Sequence, residues 1–173
     1  MNPGDSILLP IGKVPSYLDA TLKALALHTE ARTSFITYAP SLFPSSHLKI
    51  SPGEFSSFSF FISAFDWPDL ARFRYWLPDL LKHEYVALRF LAQSSYEQAA
   101  QMRVSPAPDV VTRVFMLFRG VAADDLGLWE QAAARATAED GATFWPWVVG
   151  VDLVRASDRG LFRVLEWGGM EVK

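Results

Sequence analysis

The stretch Val104-Ser-Pro-Ala-Pro-Asp-Val-Val-Thr-Arg-Val-Phe-Met-Leu-Phe-Arg-Gly120 constrains the fold more than any other part of the chain. Prolines mark its start, a glycine marks its exit, and the β-branched and aromatic run between them reads as a strand over roughly residues 110–118. Strand alternation places Arg113 on one face with Val111, Phe115 and Leu117, and Thr112, Val114, Met116 and Phe118 on the other. The tail Leu161-Phe-Arg-Val-Leu-Glu-Trp-Gly-Gly169 reads as the partner of this strand. There Glu166 shares a face with Phe162 and Val164, and Arg163 shares one with Leu161, Leu165 and Trp167. If Arg113 and Glu166 are cross-strand neighbours, an ion pair satisfies both. Removing one partner then costs about 3–5 kcal/mol if the pair is buried and ~0–1 kcal/mol if it is exposed.

The remaining segments arrange themselves around this pair. Residues 7–11 form a short apolar run suited to an edge strand. Ser16 reads as a helix N-cap, with Tyr17, Leu18, Leu22 and Leu25 at helical spacing, so the expectation is a helix over 16–27. Thr29 caps a second helix carrying Ala31, Phe35 and Ile36, although no Gly or Pro marks a joint near His28. Residues 75–84 read as a short helix with Pro78 in its first turn. Residues 85–91 read as a strand, and Ser94 with Glu97 makes a capping-box pattern for a helix through Gln101. An Ala-rich helix is expected over 126–138, a strand over 145–154, and a turn at 157–160 leading into the last strand. Helices first and then mostly strands is an α+β pattern. The expected fold is a single domain over 1–173, with N-terminal helices packed on a small, mainly antiparallel sheet built from strands near 85–91, 110–118 and 161–167.

Residues 39–74 break this order. About half of the thirteen Phe sit here, mixed with Ser and Pro and little charge. The segment shows neither a helical nor a strand period, apart from a short strand-like run at 58–62. It reads as a long irregular insertion, unusual inside a compact domain.

Composition narrows the function classes. A chain of 173 residues is long enough to bury roughly 70% of the surface its unfolded form exposes. A net charge of −3 leaves no electrostatic footprint for nucleic acid. The absence of Cys removes disulfides, thiolate ligands and a Cys nucleophile. Residues 1–12 lack a basic n-region and are broken by Pro10, which is not a signal peptide, and no run reaches the ~20 apolar residues of a spanning helix. With Met1 as the true start, the expectation is a soluble cytoplasmic chain. The load of six Trp and thirteen Phe reads as a bulky core or as an aromatic surface built to meet a partner or another copy of the chain.

His28, His47 and His83 are scattered without paired spacing, and Asp124-Asp125 lacks the alternating acids of a calcium loop, so no metal site and no cofactor are expected. No phosphate loop or nucleophile elbow is present. What remains are charges in apolar strands, with two readings. In one, Arg89, Arg113, Arg163 and Glu166 are structural charges on a half-exposed sheet face. In the other, Asp109, Arg113 and Glu166 line a polar pocket walled by Trp145, Trp147 or Trp167, which binds a polar ligand or supports acid–base hydrolysis by Asp109 and Glu166.

Five segments occur in an order that resembles the C-terminal part of a family of uncharacterised bacterial and fungal proteins. They are Tyr75-Trp-Leu-Pro78, Ala87-Leu-Arg-Phe90, Pro108-Asp109, Arg113-Val-Phe-Met-Leu-Phe118 and Leu165-Glu-Trp-Gly-Gly169. The resemblance covers about three fifths of the chain and implies no activity, since members have none assigned, and bacterial members are often secreted or lipid-anchored. Members also carry a β-rich N-terminal region, which implies that this chain is a fragment of a larger protein. In the family the second helix runs straight into the Tyr-Trp-Leu-Pro segment, and joining Tyr38 to Trp76 restores that continuity here. The insertion therefore reads as translated intron or another gene-model error, the alternative being a genuine lineage-specific loop. The resulting expectation is a non-catalytic binding or scaffold module, the alternative being a hydrolase using a carboxylate pair.

Overall fold

The computed structural model describes residues 1–37, 60–61, 83–138 and 141–172. The fold is α+β, with the N-terminal helices packed on an open sheet, as expected. The strands are β1 (Ile7–Pro10), β2 (Phe60–Phe61), β3 (Tyr85–Phe90), β4 (Val110–Val121) and β5 (Arg163–Glu171), in the spatial order β1-β3-β4-β5-β2. Pairing is antiparallel from β1 through β3 to β4, and parallel where β5 lies along β4 and β2 along β5. The expected helix over 75–84 and most of the insertion over 39–74 lie outside the described residues, apart from β2 within the strand-like run.

Each face of the sheet follows from alternation. One face presents Ile7 and Leu9 from β1, Val86, Leu88 and Phe90 from β3, Val114, Met116 and Phe118 from β4, and Leu165 from β5. Helix α1 (Val14–Ala24), which brings Leu18 and Leu22, and α2 (Thr29–Thr37), which brings Ala31 and Phe35, cover it together with Trp145 and Val149 from a later helix. Fully burying a side chain such as Leu18 or Leu22 contributes about 1.5–3 kcal/mol, so this layer is the main source of stability. Among the described residues, several aromatic side chains belong here. Phe35 packs on Phe90 and Trp167, and Phe90 meets Trp145 edge-on with ring centres 5.1 Å apart.

The opposite face is covered in two places. Helix α3 (Gln93–Ala99) lies over the start of β4, and a 3-10 turn (Ala123–Trp129) with helix α4 (Glu130–Thr137) lies over β1 and the end of β4. Residues 126–138 are thus not one helix, because the chain runs as a 3-10 turn as far as Trp129. Residues 145–154 are not a strand. They form helix α5 (Trp145–Val149) and enter α6 (Leu153–Ser157), because Pro146 suits a first helical turn and Gly150, at φ 80°, terminates α5.

Two helix boundaries also differ from expectation. Helix α1 starts at Val14 ahead of Pro15, and the Ser16 hydroxyl donates to the Lys13 carbonyl (3.0 Å) instead of capping. The unmarked joint before α2 is made by Ala26, which takes φ 63°. Leu27 N–H donates to Leu22 O and Ala26 N–H to Lys23 O, both at 3.0 Å, the double closure of a left-handed helix end. A Cβ in that conformation costs roughly 1–2 kcal/mol, part of which the greater unfolded-state freedom of glycine offsets. Ala26→Gly is therefore expected to raise stability by up to about 1 kcal/mol, read as a higher urea midpoint at unchanged slope.

Candidate functional site

Arg113 and Glu166 face each other in register across β4 and β5. Their side chains are only 3% and 4% exposed, because α3 closes over them. Arg113 Nε donates to Glu166 Oε2, and Arg113 Nη1 donates to Glu97 Oε2 and to the Ala100 carbonyl (2.6 Å). Tyr96 completes the cluster. Its hydroxyl donates to Glu166 Oε1 (3.1 Å), and its ring lies 4.1 Å from the Arg113 guanidinium carbon. Gln93 ties the helix to the strand, accepting from the Arg113 backbone N–H (2.6 Å) and donating to the Gly150 carbonyl (2.9 Å).

The electrostatics follow from that enclosure. Burial raises the Tyr96 phenol well above its usual range, helped by the adjacent Glu166 charge and hydrogen bond and opposed by Arg113. Burial also opposes the Arg113 charge, but the hydrogen bond and charge of Glu166, with Glu97 behind them, more than compensate, and the guanidinium holds its proton more tightly than usual. Arg113 and Glu166 are each held by contacts within the fold. The arrangement fixes α3 and β5 onto β4.

The other sequence-level candidates do not converge on this pair. Asp109 sits exposed at the start of β4, where its Oδ2 accepts from Phe162 N–H (2.8 Å) and its backbone N–H donates to Phe162 O (2.8 Å). It thus pins the starts of two parallel strands, four residues before Arg113 and so ~13 Å of strand rise away from the Glu166 level. Trp145 is buried in the core, and its Nε1 donates to Tyr17 Oη (2.8 Å), which in turn donates to the Gly141 carbonyl. Trp167 packs on Phe35 on the face opposite Arg113. Trp147 projects outward at 87% exposure. The charged residues expected on a half-exposed face behave unequally. Arg89 pairs with Asp5 and stays partly exposed, whereas Arg113 is enclosed. Among the described residues, no group of three or more His, Asp or Glu side chains is placed to hold a metal ion.

Gln93, Tyr96 and Glu97 escaped the sequence reading. The only local signal is Glu97 three residues after Ser94, which has the spacing of a capping box. Instead Ala92 is the N-cap and makes no side-chain cap, while Glu97 reaches Arg113.

A second feature is open to solvent. Between α1 and α4, along the outer edge of β1, runs a groove of about 740 Å³ with Leu8, Leu9 and Pro10 on its floor. Tyr17, Tyr85, Leu126, Gly127, Ala133 and Ala136 form its walls, and Lys13 and Glu130 bring the charges to its lining. The size falls within the roughly 300–1,000 Å³ of ligand sites. Four segments build it: the edge strand β1, the start of α1, Tyr85 at the start of β3, and the 3-10 turn with the crossover helix α4. Among the described residues, no helix is long and apolar enough to cross a membrane. No protein-family model, curated protein or solved structure matches this chain.

Proposed function

We propose that this chain is a non-catalytic binding module whose ligand lodges in the groove between α1 and α4. The observation that carries this reading is the groove itself, about 740 Å³ of largely apolar concavity left open beside a sheet edge. The separation of Asp109 from Glu166 by four strand residues favours this reading over a carboxylate-pair hydrolase, whose acids stand no more than about 10 Å apart. Exposed apolar side chains support a protein as partner, or a second copy of the chain. Leu128 is 72% exposed directly after Gly127 in the groove wall, and Trp147 of α5 and Val154 of α6 project outward.

The test is occlusion. A Cβ added at Gly127 meets nothing within 4 Å, so Gly127→Trp is expected to fold normally while its ring fills the groove. With anilinonaphthalenesulfonate as an apolar probe, the full chain should show saturable binding that weakens at least tenfold in Gly127→Trp and in Ala136→Arg, with unchanged circular dichroism. Equal probe affinity in folded variants would move the site elsewhere.

A further inference from the structure

The most outward-facing apolar side chains gather on α5 and α6, outside the lining of the groove. Trp147 is 87% exposed, Val154 is 82% exposed, and Leu153 beside it is 41% exposed. Among the described residues these are three of the six large apolar side chains left in solvent, and the two most exposed of them. Helix geometry puts them there. Helix α5 turns Trp145 and Val149 into the core, so Trp147, roughly 200° round the helix from Trp145, points outward. Helix α6 buries Ala156, and Val154, two residues before it, takes the outer side by the same spacing. Residues 150–152 join the two helices, so the Cα atoms of 147 and 154 lie at most about 20 Å apart. A standard interface of roughly 800 Å² per partner is about 30 Å across and takes in both.

The charges beside this apolar centre alternate in sign. Asp152, Arg155, Asp158 and Arg159 follow one another along the chain, all exposed, and sum to zero. An anionic membrane surface attracts an excess of Lys and Arg, which this rim lacks. A second copy matches it. A two-fold axis crossing α6 reverses the order of charges on the opposing chain, so that acid faces arginine all along the contact. The face is also held in place, because Arg155 Nη2 donates to the Asp109 carbonyl (2.8 Å) and fixes α6 against the start of β4.

We infer that this face pairs with the same face of a second copy of the chain, with Trp147, Leu153 and Val154 at its centre and the four alternating charges at its rim. The surface is separate from the groove and does not depend on what the groove binds. Trp is prominent among the residues that carry interface energy. One such ring buries about 150–250 Å², and Leu153 and Val154 add less, which falls short of the ~800 Å² of a standard interface. The dimer is therefore weak, with a dissociation constant of about 10–100 μM.

Sedimentation equilibrium of the full chain over a concentration series tests this. A reversible monomer–dimer equilibrium is expected, weakened at least tenfold by Trp147→Ala and unchanged by Leu128→Ala, which removes an exposed apolar side chain outside the face. The rim is tested with two neutralised variants. Asp152→Asn/Asp158→Asn leaves a basic rim and keeps an oxygen acceptor for Arg155 N–H and for Gly160 N–H. Arg155→Gln/Arg159→Gln leaves an acidic one. Each alone should dimerise at least threefold more weakly than the original chain, and an equal mixture of the two should recover the original affinity. A chain that stays monomeric at millimolar concentration would overturn the pairing, and Trp147-dependent binding to phosphatidylserine vesicles by that monomer would assign the face to a membrane instead. Dimers indifferent to Trp147→Ala would place the contact elsewhere. Assembly that grows beyond the dimer would overturn the two-fold arrangement, and a mixture no tighter than either variant alone would overturn the charge matching.

Discussion

Arg113→Met is expected to destabilise the fold by about 3–5 kcal/mol, among the largest effects of any single substitution outside the apolar core. Among the described residues, the change removes the only cation paired with Glu166 and leaves a carboxylate at 4% exposure with one hydroxyl, that of Tyr96, as its remaining partner. Glu166→Leu is expected to cost less. Arg113 then keeps Glu97 and the Ala100 carbonyl, and Glu97 is half exposed, so solvent reaches that side of the pair. The double variant Arg113→Met/Glu166→Leu should recover most of the loss, because an apolar pair of similar volume carries no desolvation cost. A urea-denaturation cycle over the four proteins measures the coupling directly. Strict additivity of the two single losses would show that the pair does not act as a unit.

Trp145→Ala is expected to cost a similar ~3–5 kcal/mol for a different reason. The ring is 1% exposed and wedged between Phe90 and Phe144, with ring centres 5.1 and 4.3 Å away. Its removal opens a cavity under α5 and also takes the Nε1 donor from Tyr17, whose hydroxyl retains its own bond to Gly141. Trp147→Ala, two residues along the same helix, supplies the comparison. That ring is 87% exposed, and its loss should move stability by no more than about 0.5 kcal/mol. Thermal unfolding of the two variants side by side separates the roles, and similar losses would contradict the placement of α5.

The contrast between these tryptophans shows what the sequence could convey. Strands β4 and β5 were legible because alternation is a local rule, and it placed Arg113 and Glu166 on definite faces before any contact was known. Their register came from the two long apolar runs matching over nine residue pairs. Residues 145–154 were misread because Val148, Val149, Val151 and Val154 favour strands locally, whereas Pro146 and Gly150 impose a helix start and stop at positions the valines cannot override. Ala26 gave no warning, since alanine carries a Cβ and is not among the Gly, Asn and Asp that usually mark a left-handed turn. The polar half of the cluster was invisible for another reason. Gln93, Tyr96 and Glu97 acquire their roles only when α3 docks on strands that follow it in the chain. The groove lies further still from any local signal, because its walls and floor come from four segments brought together only by the finished fold.

The parallel pairing of β5 with β4 has a consequence for how the chain assembles. Antiparallel β3 and β4 are joined by residues 91–109, which carry α3, but β5 is reached only after a crossover of roughly forty residues through α4, α5 and α6. The loop-closure entropy grows with the logarithm of that length and is met before any β5 contact forms. In that order of events the β1-β3-β4 sheet can exist before its last long strand arrives. Glu166 then acts as a latch: it travels with the late strand, and it finds Arg113 and Tyr96 already waiting. Asp109, at the other end of the same seam, catches Phe162 where the strand begins. Asp109 and Glu166 thus serve the same seam at its two levels, one fixing where β5 starts and the other locking it in place.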